Sequence, residues 1–302
     1  MKSKITLWLK ENFGYSYLRL TRWVISDRQF IKNRYRKIFG REIHFEDPKS
    51  FNEKIQFLKL HYHPQNLPTL ADKFEVRKYI EEKKLGWTLN DLLAVYNQPE
   101  EIDFAALPDS FVLKMTHGSG WNIICPDKAK MNWGVELKKV KRWSKQNYYD
   151  WGREWIYKDI RPRILIEKYL SDGENESLPD YKFFCFHGAP LFIQVDVDRH
   201  TDHKRNLYDL DWQLLPCRYV FPLFEREIPK PSNLEEMVSV SKVLSQDFVF
   251  SRIDLFSVAG RTVFGEMTFT PENGFGRFYP QEYDAFWGSK IVLENCVELL
   301  GG

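Results

Sequence analysis

The strongest constraint on the fold of this chain is a strand–turn–strand unit near its C-terminal end. Phe248 to Val258 and Thr262 to Phe269 both read as strands, with Ala259-Gly260 as the turn. Strand alternation puts Arg252 and Asp254 on one face, and Glu266 and Thr268 on one face. A loop with an odd residue count, such as Ala259-Gly260-Arg261 with a left-handed glycine, makes the two faces coincide. Two carboxylates then converge with an arginine beside them. Hard oxygen ligands of this kind hold magnesium and leave room for nucleotide phosphates. An exposed hairpin with scattered charges accounts for the same residues, because charged hairpins are common.

At 302 residues the chain is long enough for a substantial core and two or three subdomains. Its 43% hydrophobic and 28% charged content is that of ordinary soluble globular proteins. Cys125, Cys185, Cys217 and Cys296 stand far apart, without zinc spacing or a disulfide framework. Free thiols in a reducing cytoplasm are therefore expected. Met1 to Leu9 lacks the apolar core of a secretory signal, and no stretch is long enough to span a membrane. The net charge is only +2, and no nucleic-acid partner is expected. The charge is nevertheless lopsided. Met1 to Arg41 carries eleven Lys or Arg residues against Glu11 and Asp27. Trp8, Leu9, Phe13, Tyr17, Leu18, Leu20, Trp23, Val24 and Ile25 are interleaved with them. Such a composition fits a helix lying in a membrane interface, and also a basic helix packed on its own domain.

Along the chain, Ser50 and Glu53 form the cap of a helix that runs toward Tyr62-His63-Pro64. A second helix is expected from Asp72 to Gly86. Phe111–Met115 and Trp121–Cys125 read as strands joined by Thr116-His117-Gly118-Ser119-Gly120. Helical pattern returns from Lys138 to Tyr148. Ile164–Leu170, Tyr181–Phe186, Leu191–Val197 and a segment near Tyr208 read as strands. Leu234–Leu244 and Trp287–Leu300 read as helices. The expected class is α+β, with strands in antiparallel groups.

Three further constellations carry chemistry. Lys114 beside Gly118-Ser119-Gly120 lets an ammonium and backbone N–H groups approach phosphates together, although the spacing is not that of a Walker loop. Glu167-Lys168-Tyr169-Leu170 ends a strand before Ser171-Asp172-Gly173, and the unpaired backbone there can read an adenine edge. Asp196-Val197-Asp198 could chelate a metal on a sugar nucleotide. Arg199, Lys204 and Arg205 nearby could neutralise phosphates. His200 and His203 lack further ligands at zinc spacing.

The order of these pieces resembles the ATP-grasp superfamily. Asp72-Lys73, Lys114 with its glycine loop, Glu167-Lys168-Tyr169-Leu170, Arg252-x-Asp254 and Glu266-x-Thr268 follow one another as they do there. The chain is most similar to the branch named for teichuronopeptide biosynthesis, with Phe51-Asn52-Glu53-Lys54 and Asn273-Gly274-Phe275-Gly276 adding branch-level similarity. The resemblance runs from Pro48 to Gly288. It implies an ATP-grasp fold of two α+β subdomains clasping ATP, residues 67–165 carrying the glycine flap and 166–302 the metal hairpin. A basic helical region, 1–66, stands where a Rossmann-like domain is usual. By the resemblance Lys73 and Lys114 contact nucleotide phosphates, and Gly118, Ser119 and Gly120 form the flap. Glu167 and the backbone of Lys168 and Leu170 hold adenine, and Asp180 touches ribose. Asp254 and Glu266 bind Mg2+, with Thr268 at a third-ligand position where asparagine is usual. Arg252 steadies the transferred phosphoryl group.

The implied activity is an ATP-dependent carboxylate–amine ligase working through an acyl phosphate. Its partners would be a small amine or amino acid and a uronic acid of a surface glycan, free or lipid-linked, at the cytoplasmic membrane face. The rival readings are a glycosyltransferase using Asp196 and Asp198, an ATP-grasp kinase, and a scaffold with a decayed site.

Overall fold

The computed structural model describes residues 14–171, 178–198 and 202–293. Calls on Trp8, Leu9, Phe13, Asp172, Gly173, Arg199, His200, Cys296 and the last turns of the expected Trp287–Leu300 helix lie outside them.

Two antiparallel sheets form the framework. The four-stranded sheet has the order β1 (Leu92–Tyr96), β4 (Ile164–Lys168), β2 (Phe111–Met115), β3 (Asn122–Cys125). The five-stranded sheet runs β10 (Arg261–Thr268), β9 (Phe250–Val258), β5 (Asp180–Phe186), β6 (Ala189–Val197), β7 (Lys204–Tyr208). A two-residue pair, β8 (Arg218–Tyr219) with β11 (Phe278–Tyr279), ties the C-terminal loops together. The expected antiparallel grouping is thus observed. A division at 165/166 would cut β4, all of whose pairings lie in the four-stranded sheet.

The helices are α1 (Asp27–Phe39), α2 (Phe51–His61), α3 (Leu67–Ala71), α4 (Val76–Glu82), α5 (Trp133–Trp143), α6 (Tyr149–Gly152), α7 (Leu234–Ser245) and α8 (Glu282–Ser289). Residues 14–24 are also helical. The Ser50–Glu53 capping box starts α2 as expected, satisfying orphan N–H groups from both directions. Three helix expectations need correction. Asp72 caps a turn, accepting from the N–H groups of Phe74 and Glu75, and the helix proper is only Val76–Glu82. The α5 helix starts earlier than Lys138, because Asn132 caps Val135 N–H. The last described helix is Glu282–Ser289, and it ends where Trp287–Leu300 was to begin.

Packing fuses the N-terminal region to the second sheet. Phe51, wholly buried, makes edge contacts with Phe250 and Phe278 and lies against Phe184 and Phe186. Asn52 donates to Asp284 from both its backbone N–H and its amide, at 3.0 and 2.9 Å. Gly288 lets α8 press on the start of α2, since a Cβ there would lie 2.3 Å from the Lys49 carbonyl oxygen. The core on this side holds Phe183, Phe192, Met237, Val240 and Leu255. A smaller one, with Phe111, Leu113, Ile164, Val140 and Trp143, supports the four-stranded sheet. Between the two sheets lies the cleft.

Candidate active site

The β9–β10 hairpin forms as expected, with its faces brought together by a different register. The turn is Ala259-Gly260, an even count, with both residues at positive φ (50 and 77°). A primed two-residue turn of this kind matches strand twist, but by itself would set Gly265 opposite Asp254. Instead a bulge after Phe264 slips the register by one residue, and Glu266 pairs with Asp254 and Thr268 with Arg252. The odd residue expected in the loop is Gly265 in the strand. A Cβ at that position would stand 2.9 Å from the Asp254 carbonyl oxygen, so glycine fits where a side chain does not.

Across the five-stranded sheet, charges alternate in a continuous line. Arg205 Nε meets Asp196 at 2.6 Å, Asp196 meets Lys182 at 3.3 Å, and Lys182 meets Asp254 at 3.7 Å. Asp254 accepts from Arg252 Nε and Nη2, both at 2.7 Å. Arg252 Nη2 reaches Glu266 at 3.5 Å and donates to Thr268 Oγ1 at 3.1 Å. Glu266 then meets Lys73 at 3.6 Å, which carries the line to the opposite wall of the cleft. Arg252 and Asp254 are buried, whereas Glu266 faces the cleft. Burial disfavours the Arg252 cation, but Asp254 and Glu266 outweigh it and raise its pKa.

The opposite wall carries the lysines and the glycine loop. Met115 N–H donates to Trp121 O at 2.9 Å and closes the Thr116–Gly120 loop. Gly118 is required by space, because a Cβ would meet the Trp121 ring at 2.7 Å, and Gly120 by its φ of 73°. Lys73 Nζ donates to Gly118 O at 2.5 Å. Lys114 Nζ pairs with Glu167 Oε2 at 2.6 Å, and Arg77 reaches Glu167 Oε1 at 3.3 Å.

A cleft of about 1220 Å³ gathers these groups. Lys73, Lys114, Ser119, Gly120, Glu167, Lys168, Leu170, Asp180, Arg252, Asp254, Glu266 and Thr268 all line it; Gly118 supports it from behind. The expected role of the Lys168 backbone needs correction in part. Its N–H already donates to Asp91 O at 3.0 Å, because Asp91 extends β1 alongside it. Its carbonyl accepts from Asn90 Nδ2 at 2.8 Å and keeps a second lone pair. Asp180 is buried and held by Lys182.

The Asp196–Asp198 pair does not converge. Asp196 is buried between Arg205, Gln194 and Lys182, with His203 Nε2 3.2 Å away. Burial pushes its pKa up, yet those neighbours together hold it far below the usual carboxylate range. Asp198 is not among the residues lining the cleft. Arg205, expected to meet phosphates, instead directs its guanidinium to Asp196 and Glu272. The sequence reading missed Lys182 and Glu154. Lys182 left a signal, a cation alternating with Asp180 inside an apolar strand. Glu154 left none.

The TupA-like ATPgrasp family model matches residues 53–292, well over half of the chain. The chain belongs to this family. Its fold is similar to that of D-alanine–D-alanine ligase from Bacillus anthracis complexed with ATP, at 18% identity and a TM-score of 0.47. It is also similar to the ATP-grasp ligase PsnB complexed with a minimal precursor (12%, TM-score 0.39) and to D-alanine–D-alanine ligase from Helicobacter pylori (11%, 0.43). The three matches cover 77, 69 and 84% of this ATP-grasp chain. The chain spans 66% of the Bacillus enzyme, 55% of PsnB and 67% of the Helicobacter enzyme. No curated protein sequence matches it.

Proposed function

We propose that this ATP-grasp protein is an ATP- and Mg2+-dependent carboxylate–amine ligase. Its acceptor is a uronic acid of a bacterial surface polysaccharide precursor, and its second substrate an amino acid or amine. The observation that carries the nucleotide part is the cleft itself: Asp254, Glu266 and Arg252 on one wall face Lys73, Lys114 and the glycine loop on the other.

The donor set fits magnesium. Among the described residues no three His, Cys, Asp or Glu side chains converge as a metal cage. One or two carboxylates, completed by phosphate oxygens and water, are what this ion takes in nucleotide sites. Asp254 and Glu266 would hold it, with Thr268, which donates to Glu266 Oε1 at 3.3 Å, fixing that carboxylate. Magnesium there supplies charge neutralisation at the transferring phosphoryl group.

The chain's own residues position and neutralise. Lys73 and Lys114 bind the phosphate oxygens, and the loop N–H groups of Ser119 and Gly120 close over them. An acceptor carboxylate oxygen bonds to the γ-phosphorus of ATP as the bond from that phosphorus to the bridging oxygen breaks, releasing ADP. The amine nitrogen then attacks the acyl carbon, the carbon–oxygen bond to phosphate breaks, and inorganic phosphate leaves with the nitrogen's proton. Arg252 faces the charge that moves in both steps. No protein nucleophile is needed.

Residues 1–41 would bring the enzyme to lipid-linked acceptor. In support, the helix at 14–24 leaves Tyr17, Leu20, Trp23 and Val24 between 65 and 79% exposed. No helix among the described residues is long and apolar enough to cross a membrane.

The test is calorimetric titration with a non-hydrolysable ATP analogue. Binding that needs Mg2+, weakens at least about 100-fold in Glu266→Ala and persists in Asp198→Ala is the expected result. A wild-type protein that takes up no analogue with Mg2+ present would end the reading. The mass of the product then separates an amide from a phosphate ester, the outcome of a kinase.

A further inference from the structure

One buried carboxylate of the cleft makes no ion pair at contact distance among the described residues. Glu154 is 4% exposed yet lines the cleft with Tyr148, Tyr157 and Thr270. The buried carboxylates around it are all paired: Asp180 with Lys182, Asp196 with Arg205, Asp254 with Arg252, Glu167 with Lys114. Glu154 Oε2 accepts from the Thr270 hydroxyl. No cation lies within 4.0 Å of it among the described residues. Lys59 and Arg34 act on its charge through space but spend their hydrogen bonds on other groups. Lys59 gives its three N–H bonds to Gly152 O, Asn273 O and Asn273 Oδ1, each at 2.9 Å. Arg34 donates to Trp151 O at 2.6 Å. An unpaired buried carboxylate is costly, so its retention points to a ligand.

Its surroundings say which kind. Thr270 lies one pleat beyond Thr268, and Glu266, Thr268, Thr270, Glu272 and Asn273 all line the cleft in succession. Glu272 and Asn273 hold left-handed backbone, with φ of 49 and 61°, a strain kept where side chains must be aimed. Gly152 makes room, since a Cβ there would fall 1.8 Å from Asn273 Nδ2. Glu154, Glu266 and Glu272 all act on the Tyr148 hydroxyl and raise its pKa, after burial as the main cause. Glu154 and Glu272 line the cleft with Tyr148 and Tyr157, in the same cavity as the expected metal ligand Glu266.

We infer that Glu154 anchors the subsite for the second substrate, taken up as an ammonium ion that gives one proton to the Glu154 carboxylate before its nitrogen attacks, with Glu272 and Asn273 at its rim. The inference rests on the ligase reading and narrows it. An ammonium has three N–H donors and no acceptor, which suits a buried carboxylate between aromatic walls. A hydroxyl acceptor would gain far less there. The subsite selects an amine by charge, and it sits beside the carboxylates that face the reacting phosphate.

Saturation-transfer difference NMR tests this with glycinamide and glycolamide, which differ only in ammonium against hydroxyl, on the protein saturated with Mg2+ and ADP. Glycinamide is expected to bind about tenfold more tightly, the change one charge-assisted hydrogen bond gives. Glu154→Gln should abolish that preference while Mg2+–ADP still binds. Equal binding of the two probes to wild-type protein overturns the inference, whether or not the variant folds. So does a preference that survives in Glu154→Gln, which would leave Glu154 a structural balance for Lys59. Displacement of glycinamide by Mg2+ without nucleotide would assign the corner to a metal instead. Failure of wild-type protein to bind Mg2+–ADP is a separate result, and it sinks the nucleotide reading rather than this one.

Discussion

Arg252 carries more of the site than any other side chain. Its guanidinium holds both oxygens of Asp254, touches Glu266 and supports Thr268. Replacing it by Met leaves Asp254 buried with only Lys182, 3.7 Å away, in reach among the described residues. The expected cost is about 3–5 kcal/mol, the penalty for stranding one member of a buried pair. Denaturation with urea checks it, and wild-type stability in Arg252→Met would refute the assignment. His117 supplies a second test at this scale. It is buried, and its Nε2 faces the carbonyls of Trp143 and Gln146, so the proton sits on that nitrogen. Burial drives its pKa down to about 4 from an ordinary 6.5. The unfolded chain therefore binds this proton more readily. The stability it confers is complete above 6.5 and disappears as pH falls toward 4, to a total of about 3 kcal/mol. Unfolding measured at pH 7 and pH 4.5 should show a smaller acid loss in His117→Gln than in wild type; equal losses would contradict the burial argument.

At the scale of single elements, the β9–β10 hairpin concentrates the chemistry, and its geometry hangs on one glycine. Gly265→Ala places a methyl 2.9 Å from the Asp254 carbonyl oxygen. The expected outcome is a loss of about 1–3 kcal/mol, together with weaker Mg2+–nucleotide binding as Glu266 leaves its register. An alanine variant with unchanged affinity would show that the bulge does not position Glu266. The hairpin also marks what the sequence could disclose. Alternation, the Ala-Gly turn and the four polar residues were legible, because strand period and turn chemistry are local. The slip at Phe264–Glu266 was signalled only by a glycine inside a strand, which fixes neither the existence nor the side of a bulge. The Ser50–Glu53 cap was legible for the same local reason. Glu154 was not, since its role depends on Thr270 and Asn273, far along the chain. Likewise the start of α4 was not legible, because Asp72 draws the N–H groups of Phe74 and Glu75 into a turn ahead of it.

For the molecule as a whole, the exposed side chains of the 14–24 helix are the test of where it works. Tyr17, Leu20, Trp23 and Val24 stand beside exposed Arg19. Apolar residues flanked by cations bind anionic interfaces. Sedimentation with vesicles of phosphatidylcholine and phosphatidylglycerol should carry the protein down, and Leu20→Glu with Trp23→Glu should leave it in the supernatant. Equal recovery from phosphatidylcholine alone, or no recovery at all, would remove the membrane from the account. The other end of that region has a different consequence. Phe51 is enclosed by Phe250 and Phe278, and Asn52 is bonded to Asp284 across 232 positions of the chain. A ribosome delivers α2 long before β5 and β9, so more than half of the chain must be synthesised before Phe51 meets the sheet it closes on. Until then the apolar face of α2 is open to chaperones and to other nascent chains.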